Sequence, residues 1–120
     1  NAAGGTLLSN NDEESTLKVE TIPLNPYLKS QVDFLKIDIE GAESEIFEGI
    51  SKQLSNVNNL FVEWHSFSQH SQNLSMILKN IENIGFRYYL ENNGVYSKQP
   101  FILRNKIHTM DNCVNIYAYR

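Results

Sequence analysis

The sequence predicts an α/β domain built on a parallel sheet. Three observations carry this expectation. Strand-like apolar runs at 32–39, 60–65 and 86–90 alternate with helical stretches. Those stretches carry apolar residues at helical spacing over about 10–15 residues, the pattern of strand–helix–strand units. A last alternating segment, 113–119, reads as a terminal strand. Such units pack as right-handed crossovers, so the core is expected to be parallel.

Taken in order, residues 1–16 are rich in Gly, Asn, Ser and acidic groups and read as a flexible N-terminal segment, leaving 17–120 as the α/β domain. Residues 17–24 alternate and run into Pro23, which suits a short edge strand. Pro26 opens a single turn over 26–30. The run 32–39 is almost continuously β-branched or aromatic, which predicts a central strand buried on both faces. A helix follows, with Ala42, Ile46, Ile50 and Leu54 at every fourth position. Glu43 and Glu45 stand in its first turn, where the helix dipole favours anions, and Gly49 weakens its end. An Asn-rich break at 56–59 precedes a second buried strand at 60–65. Leu74, Ile77, Leu78, Ile81 and Ile84 form one helical stripe within 71–84, and Gly85 occupies the position that caps it. A third strand at 86–90 leads to the Asn93-Gly94 turn, and 95–104 is expected to be extended around Pro100.

Composition narrows the function. The 120 residues carry a net charge of −4 and are 41% hydrophobic, an ordinary single domain. Residues 1–84 hold 5 basic and 12 acidic side chains, against 5 and 2 in 85–120, but the basic groups are scattered and read as solvated surface. Without a Lys/Arg cluster, a nucleic-acid binder is not expected. Neither a membrane span nor a signal peptide is expected from the sequence. The single cysteine, Cys113, excludes an intrachain disulfide and a Cys-based zinc site, which points to a reducing, cytoplasmic setting. A chain that begins at Asn1 rather than Met reads as a processed or excised piece.

In open α/β sheets, ligands bind beyond the carboxyl ends of the strands. Two such ends carry polar groups here: Asp38-Ile39-Glu40-Gly41 and Glu63-Trp64-His65-Ser66. If the two strands are neighbours, matching their ends sets Lys36 opposite Glu63 and Asp38 opposite His65. The first pair reads as a supporting ion pair. In the second, a carboxylate holds an imidazole able to accept a hydroxyl proton, although a strand-end histidine can equally serve as a hydrogen-bonding residue. Asp38, Glu40, Glu63, His65 and His70 mix carboxylate with imidazole, but no metal-ligand spacing occurs and no metal is expected. There is likewise no G-x-G-x-x-G or Walker motif. The sequon Asn73-Leu74-Ser75 falls in the expected second helix and is discounted.

The stretch Val32-Asp33-Phe34-Leu35-Lys36-Ile37-Asp38-Ile39-Glu40-Gly41-Ala42-Glu43 resembles the signature of the FkbM family of S-adenosylmethionine-dependent methyltransferases. Glu48-Gly49, Glu63-Trp64-His65 and Gly85-Phe86 match later parts of that pattern, and the resemblance covers about 19–90. It implies the C-terminal half of a class I (Rossmann-like) methyltransferase sheet, with parallel strands, helices and a final antiparallel strand. The signature strand would be the fourth of seven, 60–63 the fifth, 86–90 the sixth and 113–119 the reversed seventh. The cofactor-binding N-terminal half, with its Gly-rich loop, is expected to be absent from the chain, and Leu24-Asn25 stands where the family has Leu-Asp.

The resemblance implies an O-methyltransferase acting on a hydroxyl of a sugar, glycan or small metabolite, with S-adenosylmethionine as donor. Asp38, Glu40 and His65 would be the catalytic residues, Asp38 would also bind the cofactor, and Lys36 and Glu63 would support them. The fragment alone is expected to be inactive. A sheet edge left open at the signature strand invites a homodimer. Two other readings stand beside this one: a non-catalytic α/β binding or assembly domain, and a nicotinamide-dependent Rossmann-type enzyme.

Overall fold

The computed structural model describes residues 20–94, 98–99, 101–102 and 110–120. It is a mixed α/β arrangement of four strands and two helices: β1 (Val32–Ile37), α1 (Glu43–Ile50), β2 (Val57–Phe67), α2 (Leu74–Asn83), β3 (Arg87–Asn92) and β4 (Met110–Tyr119). Single 3₁₀ turns at Asn25–Leu28 and Gln53–Asn56 complete the described elements. The expected flexible segment 1–16 and residues 17–19 of the expected edge strand lie outside the described residues, as does most of 95–104. Residues 20–24 form no strand.

The sheet runs β1-β2-β4-β3. β1 and β2 are parallel, while β4 is antiparallel to both β2 and β3, so the final strand is reversed as expected. One face of the sheet packs on both helices. Ile37, Leu60, Val62, Trp64, Val114, Ile116 and Ala118 bury themselves there against Phe47 and Ile50 of α1 and Ile77 and Ile81 of α2. Phe47, Val62, Ile77, Ile81 and Ile116 have no solvent exposure, which locates the centre of the core. Asn73 ties three elements together: its Oδ1 accepts from Trp64 Nε1 at 2.7 Å and its Nδ2 donates to Ser44 Oγ at 2.6 Å.

The Gly85 cap forms as the sequence implies. Its φ is +86°, the Gly85 N–H donates to the Glu82 carbonyl, and the Phe86 N–H reaches back to Ile81. That pair of bonds is the Schellman arrangement, which satisfies carbonyls the helix leaves open.

Three sequence expectations are corrected. β1 is not buried on both faces: among the described residues it ends the sheet, and Phe34 is 60% exposed. An apolar run cannot by itself say whether a second strand lies beyond it. β2 begins at Val57, inside what reads as an Asn-rich break. The amides of Asn58 and Asn59 earn their place in the strand by donating to the Asp33 carboxylate (3.3 Å) and the Asp33 carbonyl (2.9 Å). The register follows from that earlier start. Lys36 faces Phe61 and Ile37 faces Val62, two residues from the alignment obtained by matching strand ends. An even shift keeps every side chain on its expected face but changes its neighbours.

Candidate functional site

The polar groups gather at the carboxyl end of β1 and β2; those of β2 lie on the sheet face opposite the helices, and Glu43 reaches them from the first turn of α1. Alternation puts Glu63 and His65 on that face of β2, and Cys113 and Asn115 of β4 are the direct partners of His65 and Glu63 respectively. β1 stops at Ile37, well short of the end of β2, so the segment 38–42 turns along the last residues of β2. The turn uses left-handed backbone at two consecutive residues, Glu40 (φ +57°) and Gly41 (φ +110°). For Glu40 this conformation is uncommon and strained. It allows the Gly41 N–H to donate to Glu43 Oε1 at 3.0 Å.

Glu43 is the centre of the cluster, although the sequence suggests only a first-turn helix acid. Its carboxylate, 1% exposed, accepts from Gly41 and from His65 Nδ1, again at 3.0 Å. Burial by itself would raise the Glu43 pKa. The His65 hydrogen bond, those of the Gly41 and Glu43 backbone N–H groups and the His65 charge outweigh it, and the net shift is downward. Glu43 therefore stays ionised. His65 moves the opposite way. The bond to Glu43 lifts its pKa above the ordinary 6.5, burial works against the rise, and the charges of Glu43, Glu40 and Glu63 reinforce it.

The remaining residues fall around this pair. Glu40 Oε2 lies 3.7 Å from His65 Nε2, outside hydrogen-bond range. Asp38, Glu40 and His65 bring one polar atom each within 4.8 Å of one another, so Asp38 belongs to the cluster. The expected Asp38–His65 pair is nonetheless replaced by Glu43–His65. The expected Lys36–Glu63 ion pair is not formed either. Lys36 bonds Asp38 at 3.1 Å, lies 5.6 Å above the Phe61 ring and is half exposed, because the register puts Phe61 beside it. Glu63 instead accepts from Asn93 Nδ2 at 3.0 Å and from the Cys113 thiol at 3.4 Å. Burial, followed by that bond to Glu63, pushes the Cys113 thiol up to about 12.

Two functional candidates were therefore not singled out from sequence. Glu43 sits inside the signature motif, which is the one signal that could have exposed it. Cys113 lies far along the chain, and only strand pairing brings it to His65.

Chemically, the cluster is an ionised carboxylate orienting an imidazole whose second nitrogen points toward further carboxylates. It can hold a cation, accept a hydrogen bond or accept a proton. Among the described residues, no helix is long and apolar enough to cross a membrane. Neither the curated proteins nor the solved structures compared with the chain provide a match. The family model for the methyltransferase FkbM domain matches residues 1–88, which include the whole of α1, β2 and the Glu43–His65 pair. With that match spanning more than half of its 120 residues, the chain belongs to the methyltransferase FkbM domain family.

Proposed function

We propose that the chain is the acceptor-side part of an S-adenosylmethionine-dependent O-methyltransferase acting on a hydroxyl of a sugar, glycan or small metabolite. The observation that carries this reading is the buried Glu43–His65 pair at the carboxyl end of the sheet. Family membership supports methyl transfer. The order β1-β2-β4-β3 with its reversed last strand supports a class I, Rossmann-like sheet.

The donor set suits the proposed cofactor in charge. Asp38 and Glu40 are partly exposed carboxylates, and S-adenosylmethionine presents ammonium and sulfonium cations. Asp38 and Glu40 are the residues that would hold it, and the group supplies an electrophilic methyl when bound. The chain's own residues then do three things. Glu43 fixes the imidazole with its proton on Nδ1, leaving the Nε2 lone pair free for the acceptor hydroxyl. His65 takes the hydroxyl proton at Nε2, and ionised Glu43 stabilises the imidazolium that results. Trp64 and Asn73 lock the end of β2 to α2, and Asn73 also reaches α1, which holds the pair in position.

The test is methyl transfer from labelled S-adenosylmethionine to a panel of sugar and polyol hydroxyls, using the full-length protein. His65→Ala is expected to lower kcat by roughly 10²–10⁴, and Asp38→Asn to lower it as well. Unchanged turnover in a folded His65→Ala protein would dismiss the role given to that residue.

A second reading has its own observation. The face opposite the helices carries a row of aromatic rings across three strands: Phe61 meets Tyr117 edge-on at 5.1 Å and Tyr117 stacks on Tyr89 at 4.7 Å. Tyr89 and Phe34 are more than half exposed. Such a face favours a non-catalytic binding or assembly domain. Methyl transfer to any of these hydroxyls decides against it.

A further inference from the structure

We propose that Glu63, His65 and Cys113 form a binding site for one thiophilic divalent cation of the zinc class. The three side chains share one face of the β2–β4 pair, and one ligand atom from each lies within 4.8 Å of the others. A tetrahedral zinc ion needs its ligand atoms roughly 3.5 Å apart, a contraction within the reach of side-chain rotation. Oxygen, nitrogen and sulfur together suit a borderline metal; calcium and magnesium take oxygen ligands.

Two observations outside the triad point to a bound cation. The first is that the ligands are already oriented from behind. Glu43 engages His65 Nδ1, which leaves Nε2 as the lone-pair nitrogen. That nitrogen makes no hydrogen bond among the described residues and faces the Glu40 carboxylate, while the side chain is only 5% exposed. Asn93 Nδ2 donates both to Glu63 Oε1 at 3.0 Å and to Cys113 Sγ at 3.9 Å. Outer partners of this kind orient metal ligands and fix the imidazole tautomer. The second observation is Asn115, the register partner of Glu63 on the same face. Its Oδ1 is buried and has no hydrogen-bond partner among the described residues. An orphaned buried oxygen beside a carboxylate is what a cation, or water bound to one, would satisfy.

Binding replaces the thiol proton of Cys113. The S–H bond breaks, a metal–sulfur bond forms, the proton leaves to solvent, and no electron is transferred. This site runs against the sequence expectations of no metal and no Cys-based zinc site, which rest on spacing along the chain and on the single cysteine. Spacing could not reveal it, since Cys113 joins it only through β4, beyond the end of the family match at residue 88. A metal on Nε2 occupies the lone pair that a proton acceptor needs. The loaded and proton-accepting forms of His65 are thus alternatives, and the site stands independently of the methyl-transfer reading.

The experiment is a titration of the full 120-residue chain with Co²⁺, after chelator treatment and with a phosphine as reductant. Since the chain has a single cysteine, a thiolate-to-cobalt charge-transfer band reports on Cys113 alone. One equivalent is expected to saturate that band together with the visible bands of four-coordinate cobalt, and Zn²⁺ to displace it. His65→Gln and Glu63→Gln, each checked for folding by circular dichroism, should weaken binding at least about tenfold. His70→Ala, at an exposed position, should leave it unchanged. A folded wild-type chain without the charge-transfer band, or a band that survives His65→Gln at full affinity, would overturn the proposal.

Discussion

Glu43 is a carboxylate taken almost wholly out of water, and such a group is tolerable only with strong partners. Gly41 and His65 are those partners. Removing the side chain would leave the imidazole and an N–H without an acceptor, and Glu43→Ala is expected to cost about 3–5 kcal/mol. Glu43→Gln keeps an acceptor oxygen but loses the charge. It should bring the His65 pKa down from its raised value, as measured by an NMR titration of the ring in metal-free protein; an unshifted titration would show that Glu43 does not control His65. The pair also sets a pH dependence. The His65 contribution is fully present below its ordinary value of 6.5 and is lost as the pH rises through its higher folded value. The Glu43 contribution is fully present above 4.5 and is lost as the pH falls through its lower folded value. Chemical denaturation of the metal-free chain should therefore show the pair's stabilisation greatest between 4.5 and 6.5 and declining on both sides. In Glu43→Gln that hump should flatten.

The elements that hold the site are short, so their ends matter. Neither Gly49 nor Gly85 has a neighbour within 4 Å of an added Cβ, so backbone conformation decides, and it gives predictions of opposite sign. Gly49 is in the last turn of α1 without a positive φ, so Gly49→Ala should stabilise the chain by about 0.5–1 kcal/mol through helix propensity and reduced unfolded-state freedom. Gly85 sits at φ +86°, and Gly85→Ala should cost about 1 kcal/mol from backbone strain alone. Thermal melts of the two variants test both signs. The apolar spacing of α2, the first-turn acids of α1 and the capping glycine were legible in the chain and correspond to structure, but α1 stops at Ile50 and leaves Leu54, the last residue of its expected stripe, in the following 3₁₀ turn. The Asn-rich start of β2 was not legible. Asparagine disfavours strands on propensity, and the side-chain bonds of Asn58 and Asn59 to Asp33, with that of Gln31 to Asn58, offset this.

At the scale of the whole molecule, the sheet ends at β1 among the described residues, with Phe34 exposed. An unpaired edge with an apolar side chain is a template for another strand, so a homodimer through β1 is expected. Light scattering should give a dimeric mass that Phe34→Lys returns to that of a monomer; a monomer at every concentration would remove the prediction.

Which residues alternate onto which face, that a helix follows each of the first two strands, and that polar groups stand at two strand ends were all properties of the sequence. They depend on backbone periods of 2 and 3.6 residues, which local chemistry dictates. The family signature belonged to the sequence in the same way. The partner of His65 did not, because it depends on register, and register is set by where a neighbouring strand begins and how its side chains bond. A shift of two residues replaced Asp38 with Glu43 as the imidazole's partner and left Lys36 beside Phe61. Cys113 and Asn115 reached the site only through the antiparallel return of β4. Contacts between residues far apart in the chain are settled by the packing of the whole sheet, and no local pattern encodes them.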